Sequence, residues 1–320
     1  MNLWYRAEMS AKIVPPTSEN LQTACSILAA GGLVAMPTET VYGLCADAAN
    51  PIAIARIYDV KGRPDFNPLI AHIAGLEMAE RQGHFSADAK ALAGAIWPGP
   101  LSMVVNIRDT TSIASIARAG LDSVALREPS HPVARSLIST FGVPLVAPSA
   151  NLSGRISPTR AQHVFDDLGD RIDLIIDGGA CQSGLESTII DARDAHPALL
   201  RLGPIAAPEI DALWPGLKQA DLSAEKPVSP GQLLRHYAPN ARLRINAITA
   251  LPDEGYLGFG PVESDLNLSP ASDLIEAAAN LFDMLRQLDA QYTQIAVAPI
   301  PSGGVGDTIN ERLARAAERA

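Results

Sequence analysis

Apolar side chains recur every three or four residues from Leu21 through Cys25 to Leu28, and the stretch closes at Gly31-Gly32. This spacing predicts a helix with Ser18 as its cap and the glycines as its end. The apolar run Leu33–Met36 follows and stops at Pro37, the pattern of a short buried strand. Asn50-Pro51 opens another helix, with Ile54, Ile57 and Tyr58 as its apolar side. Leu69–Ile73 reads as a strand, and Ser86–Trp97 as a helix capped by Ser86.

Short apolar runs then dominate: Leu101–Ile107, Val124–Leu126, Pro144–Ala147, Leu174–Ile176, Thr188–Ile190 and Ala198–Leu202. Helical stretches over Pro132–Phe141 and Thr159–Leu168 separate some of them. Many strands with irregularly placed helices predict an α/β (α+β) domain over roughly the first 205 residues. The periodicity alone does not give the strand order. Around 216–232 the pattern gives way to a polar stretch bearing Pro and Gly, which reads as an interdomain linker. Beyond it, Ala241–Ile248, Gly255–Phe259 and Ile295–Ala298 read as strands and Ser272–Leu288 and Asn310–Ala317 as amphipathic helices. A second, smaller α/β domain is expected there.

Composition sharpens this picture. At 320 residues two domains are expected, and 47% hydrophobic against 19% charged residues suits filled cores. Cys25, Cys45 and Cys181 are scattered and odd in number, with neither disulfide-framework nor metal-ligand spacing, so a reducing, cytoplasmic setting is expected. The apolar run Ile27–Met36 is too short to span a bilayer, so no membrane partner is expected. A net charge of −10 weighs against broad nucleic-acid binding. Lysines are few beside arginines, so a lysine inside a dense polar motif stands out.

That lysine is Lys61, in the segment running Lys61-Gly-Arg-Pro-Asp-Phe-Asn-Pro-Leu-Ile-Ala-His72. A compact ammonium and a planar guanidinium (Arg63), one glycine apart, suit phosphate oxygens, while Asn67 and His72 flank the following strand. Pro37–Leu44 places the hydroxyls of Thr38 and Thr40 where the chain leaves a strand, the usual rim for ligand sites in α/β proteins. Pro148–Gly154 supplies small hydroxyl and amide groups, Ser149 and Asn151 among them, beside a glycine that lets backbone approach an anion or ribose. Glu186–Asp191 adds Ser187, and Arg127 and Arg201 end or border apolar runs. Taken singly, each string is also an ordinary turn. Together, Lys61, Arg63, Arg127 and Arg201 beside strand-end hydroxyls in an acidic chain predict a concave polyanion site. A Walker loop, a strand-linked GxGxxG, HExxH, paired CxxC and GxSxG are all missing from the sequence.

PTETVYGL, KGRPDFNPLIAH, Ser149-Ala150-Asn151 and ESTIID, in this order, resemble the YrdC-like domain of the threonylcarbamoyl-AMP synthase family. SPGQLLRHYAP at 229–239 resembles the linker of its two-domain branch. The resemblance implies a twisted mixed-sheet catalytic domain over 17–207, a linker or lid over 208–238 and a Rossmann-like domain over 239–320. It implies a nucleotidyltransferase that forms threonylcarbamoyl-AMP and pyrophosphate from L-threonine, bicarbonate and ATP with Mg²⁺. The product would pass to a tRNA threonylcarbamoyl transferase complex acting at position 37, with direct tRNA binding weak or absent.

By motif, Thr40, His72, Arg127, Ser149 and Ser187 would line the threonine end. Lys61 and Arg63, taken as catalytic, would hold the nucleotide with Asn67, Ser123, Asn151, Thr159, Arg201 and the linker residue Tyr237, beside His236. Gln232, Leu233 and Leu234 depart from the Met-Lys-Tyr usual in the linker motif. The rival readings are a nucleic-acid-binding module and a carbamoyl transferase sharing the domain. The first lacks interleaved basic and aromatic residues, and the second lacks the acylphosphatase-like and zinc-finger segments such proteins carry.

Overall fold

The computed structural model describes residues 11–64, 66–220 and 237–318. Its strands are β1 (Lys12–Val14), β2 (Val34–Met36), β3 (Gly43–Asp47), β4 (Ile70–His72), β5 (Leu101–Asn106), β6 (Ser123–Arg127), β7 (Leu145–Val146), β8 (Leu174–Ile176), β9 (Thr188–Asp191), β10 (Ala198–Arg201), β11 (Lys218–Gln219), β12 (Arg242–Arg244), β13 (Gly255–Gly258), β14 (Leu266–Asn267) and β15 (Gln294–Val297). The helices are α1 (Ser18–Ala29), α2 (Pro51–Lys61), α3 (Leu76–Gln82), α4 (Ala87–Ile96), α5 (Pro132–Phe141), α6 (Ala161–Leu168), α7 (Ala207–Leu213), α8 (Leu274–Asp289) and α9 (Val305–Ala317).

The first eleven strands form one sheet in the order β1-β8-β2-β3-β7-β4-β6-β5-β9-β10-β11. Its pairings are mixed: β3 is antiparallel to β2 and β7, whereas β4 runs parallel to β6 and β5 parallel to β9. The last four strands form a separate sheet, β12-β15-β13-β14, parallel throughout. Helix α8 connects β14 to β15 and packs on that sheet, with α9 beside it. This is the mixed sheet plus smaller Rossmann-like unit that the sequence implied.

Local chemistry explains the helix ends. Asn50 caps α2 by accepting hydrogen bonds from the Ile52 and Ala53 amides, and Gly62 ends it in the left-handed region at φ 58°. Ser86 caps α4 through the Ala89 amide. The first helix departs from expectation. Ser18 lies inside α1, and the cap is Thr17, whose Oγ1 accepts from the Asn20 amide at 3.2 Å. The polar stretch read as linker begins later than 216, because β11 pairs in parallel with β10. Most of that stretch, with Ser229–His236 of the linker motif, lies outside the described residues. No helix among the described residues is long and apolar enough to cross a membrane.

Candidate active site

Side chains on neighbouring positions of a strand point to opposite faces. In the large sheet, Ala71, Met103, Val105, Leu126, Ile190 and Leu199 enter the main core. Ile70, Val104, Ala125, Ile189 and Leu200 form a separate apolar strip, with Ala220 packed against it. The alternation puts His72, Ser102, Arg127 and Ser187 on the side of this strip. His72 and Arg127 are register partners at the ends of β4 and β6. Ser123 shares Arg127's face but lies four residues back, roughly 13 Å along the strand, with Ala125 between.

At the polar end of the strip lies a cleft lined by Thr38, Thr40, Val41, Arg63, Ile70, His72, Arg127, Ser149, Glu186, Ser187 and Arg201, among others. Thr40, Arg63, His72, Arg127, Ser149, Ser187 and Arg201, seven of the residues singled out from the sequence, therefore face one space.

One wall is a buried polar network. Arg127 donates from Nη2 to Glu39 Oε1 at 2.6 Å, from Nη1 to Thr40 Oγ1 at 2.9 Å and from Nε to the Gly99 carbonyl at 3.3 Å. Glu39 Oε2 accepts the Ser130 amide at 3.1 Å. Thr38 Oγ1 meets Thr40 Oγ1 at 2.8 Å and donates to the Val41 carbonyl, so the Pro37–Leu44 turn is tied to itself. Ser102 Oγ meets Ser187 Oγ at 2.8 Å. Burial, reinforced by the Arg127 charge, pushes the His72 imidazole down to about 3. It stays neutral near neutrality.

Three further side chains are cationic. Lys61, at the end of α2, is buried and donates to the carbonyls of Ser149 (2.6 Å) and Asn151. It thus clamps the 149–151 turn instead of lining the cleft itself. Burial, and then the Arg63 charge, hold its ammonium well below the usual lysine range. Arg63 donates to the Asn67 and Pro68 carbonyls, at 3.2 and 3.0 Å, and burial pushes it down to about 10. Arg201 forks onto Ser187, reaching its carbonyl at 2.8 Å and its hydroxyl at 3.0 Å, and is likewise lowered by burial. Among the described residues none of Lys61, Arg63 and Arg201 has a carboxylate partner. Buried polar atoms with no hydrogen-bond partner in the described structure include Asn67 Oδ1, His72 Nδ1, Asn151 Oδ1 and Thr159 Oγ1. All four belong to residues singled out from sequence. Buried groups of this kind are normally satisfied; of the four residues only His72 lines the cleft, and Asn67, Asn151 and Thr159 lie outside its lining.

The second domain meets the first beside the cleft, at Glu186, Leu202 and Gly203. Tyr237 is buried within its core, stacked on Phe282 with centroids 5.6 Å apart, and the Arg312 guanidinium lies 4.8 Å over its ring. Its backbone is left-handed at φ 65°, an uncommon conformation for a non-glycine residue. Arg312 is buried and pairs with Glu186 Oε2 at 3.0 Å. Glu39, Ser102, Glu186 and Arg312 were given no role from the sequence. Glu39 and Glu186 sit inside the motifs, which is a usable signal. Arg312 lies in an amphipathic helix, where nothing distinguishes it from a surface cation.

Residues 26–203 match the Sua5–YciO–YrdC family, described as "Telomere recombination", and residues 205–318 match "Threonylcarbamoyl-AMP synthase, C-terminal domain". A Bacillus subtilis threonylcarbamoyl-AMP synthase is 38% identical, across 92% of both chains. The chain belongs to the threonylcarbamoyl-AMP synthase family. Its fold matches the crystal structure of Pyrococcus abyssi Sua5 complexed with L-threonine, with a TM-score of 0.87, 33% identity and 96% of each chain covered. A Vibrio cholerae threonylcarbamoyl-AMP synthase is 36% identical over 58% of this chain and 98% of its own length. That shorter relative therefore matches little beyond the first domain, and the present chain is of the longer, two-domain kind.

Proposed function

We propose that the cleft joins L-threonine, bicarbonate and ATP into threonylcarbamoyl-AMP and releases pyrophosphate. The observation that carries this reading is that Arg63 and Arg201 face the cleft without carboxylate partners among the described residues, with Lys61 buried beside Arg63, in a chain of net charge −10. Taking a cation out of water costs several kcal/mol unless something offsets it. A triphosphate supplies the missing charge. The L-threonine complex of the P. abyssi protein supports the amino-acid assignment.

Arg127, anchored by Glu39 and Thr40, presents its remaining N–H groups to the threonine carboxylate. Thr40, His72, Ser149 and Ser187 read the amine and hydroxyl. A site built around a hydroxyl rejects analogues lacking it far better than an apolar pocket does. Arg63 and Arg201 take the phosphates, with Lys61 shaping the 149–151 turn that brings Asn151 to the nucleotide. Asn67 and Thr159 complete the nucleotide's contacts, with the base directed along the apolar strip toward Ser123. Tyr237 supports the nucleotide side from the second domain.

The threonine amine bonds to the carbon of carbon dioxide released from bicarbonate, giving a carbamate, and the proton it loses leaves with the bicarbonate hydroxide as water. A carbamate oxygen then forms a bond to the α-phosphorus as the bond to the β-phosphate oxygen breaks in line, and pyrophosphate leaves. No covalent enzyme intermediate is needed, so the protein's contributions are positioning and charge stabilisation. Mg²⁺ would accompany ATP and help to neutralise its phosphates. Among the described residues no group of three or more His, Cys, Asp or Glu converges. Glu186 is also already engaged by Ser157 and Arg312.

The product passes to a transferase complex that modifies tRNA, and this acidic chain itself holds tRNA weakly and in a salt-sensitive way. The test is pyrophosphate release in the presence of ATP, bicarbonate and each amino acid in turn. Threonine-specific release that disappears in Lys61→Ala or Arg63→Ala is expected. Release independent of the amino acid removes the substrate assignment.

A further inference from the structure

Among the described residues lining the cleft, the single carboxylate is Glu186. Its position is awkward for a polyanion site, since Arg201 lies close enough to feel its charge. A free carboxylate there would draw Arg201 away from Ser187 and repel phosphate. Instead Glu186 is held from behind. Ser157 Oγ donates to Oε1, and Arg312 Nε donates to Oε2 at 3.0 Å.

Arg312 belongs to α9, in the second domain, and is about 1% exposed. Its Nη2 donates to the Leu202 carbonyl at 2.8 Å, just past Arg201, and its Nη1 pairs with Glu311. Thr308 of the same helix donates to the Gly203 carbonyl at 3.0 Å. The face of the guanidinium covers Tyr237. A planar fork with five donors can meet Glu186, Glu311, a carbonyl and an aromatic face together, and an ammonium cannot.

We propose that Arg312 is a positioning residue of the cleft: by neutralising Glu186 it leaves Arg201 and Arg63 available to the nucleotide. The inference rests on the cleft's being the ATP site. In this reading the second domain sets the charge of a site whose lining comes from the first.

The test is calorimetric titration of ATP into the full-length protein, Arg312→Met, Glu186→Gln and the double variant, with melting curves alongside. Arg312→Met weakens ATP binding at least tenfold, Glu186→Gln does not weaken it, and the double variant returns to within threefold of the parent. A double variant as weak as Arg312→Met means that Arg312 serves domain docking alone, and overturns the proposal. Unchanged binding in Arg312→Met overturns it too. Should Arg312→Met fail to fold, Glu186→Gln decides, because a tenfold loss there shows that the carboxylate itself serves the nucleotide. If the parent protein does not bind ATP, the reading of the cleft fails first and this inference falls with it.

Discussion

Arg127 Nη2 lies 2.6 Å from Glu39 Oε1 inside the wall of the cleft, and both side chains are buried. The two residues are 88 positions apart, on the turn after β2 and the end of β6. Removing one partner of a buried ion pair leaves the other charge uncompensated and costs about 3–5 kcal/mol. Glu39→Ala is therefore expected to lower stability by about that much in urea titrations and to raise the KM for threonine. Glu39→Gln keeps the hydrogen bonds and loses less. Equal stability of Glu39→Ala and the parent would show that Arg127 does not depend on this carboxylate.

Lys61 acts through two carbonyls. Lys61→Met removes the donor from the buried Ser149 and Asn151 carbonyls, and each unsatisfied group costs about 1–3 kcal/mol. Threonine-dependent pyrophosphate release is expected to fall about a hundredfold, with a lower melting temperature. A variant that loses activity at unchanged stability would assign Lys61 to the phosphates alone.

His72 gives the protein an acid liability. Its ordinary value is 6.5 and its folded value is about 3, so the unfolded chain binds the proton first. Stability from this residue is complete above the ordinary value and falls as pH drops toward the folded one. Between pH 7.5 and pH 5 the parent is expected to lose about 2 kcal/mol more than His72→Gln. Parallel denaturation curves at the two pH values would refute this.

Arg63 is expected to report nucleotide binding directly. A ligand at a hundred times its Kd stabilises a protein by about 2.7 kcal/mol. That shift should be present in the parent with ATP and missing in Arg63→Ala. An ATP-induced rise in melting temperature that survives the substitution would take Arg63 out of the phosphate site.

Gly203 sits where no side chain fits. A Cβ there would lie 2.2 Å from the Thr188 amide nitrogen and 2.6 Å from the Ser187 carbonyl carbon. Both atoms are backbone and cannot swing away. Gly203→Ala is expected to displace the 187–188 segment, costing about 1–3 kcal/mol and most of the activity. Retained activity would mean that the cleft tolerates movement of Ser187.

Helices whose ends carry strong local chemistry were legible in the sequence. Pro132–Phe141 has proline at its first position and Gly142 just past its end, and the structure starts and stops it there. The Thr17 and Ser18 hydroxyls compete for one cap, and periodicity cannot choose between them. Strand β3 was missed because its first residues, Gly43 and Leu44, belong to the PTETVYGL motif, which reads as a turn. The short α3 and α7 offer too few turns for a period to register.

The cleft itself was legible as motifs, because each contributes several polar groups in sequence. The partners of those groups were not. Lys61 meets Ser149 across 88 positions and Glu186 meets Arg312 across 126, distances at which one-dimensional patterns carry no information.

Helix α9 follows every cleft-lining residue along the chain, so the ribosome makes Arg312 after all of them. A chain that stops before Val305 has every cleft-lining side chain but lacks the Arg312 guanidinium that pairs with Glu186. Such fragments would be poor competitors for ATP, and turnover would await the synthesis of α9.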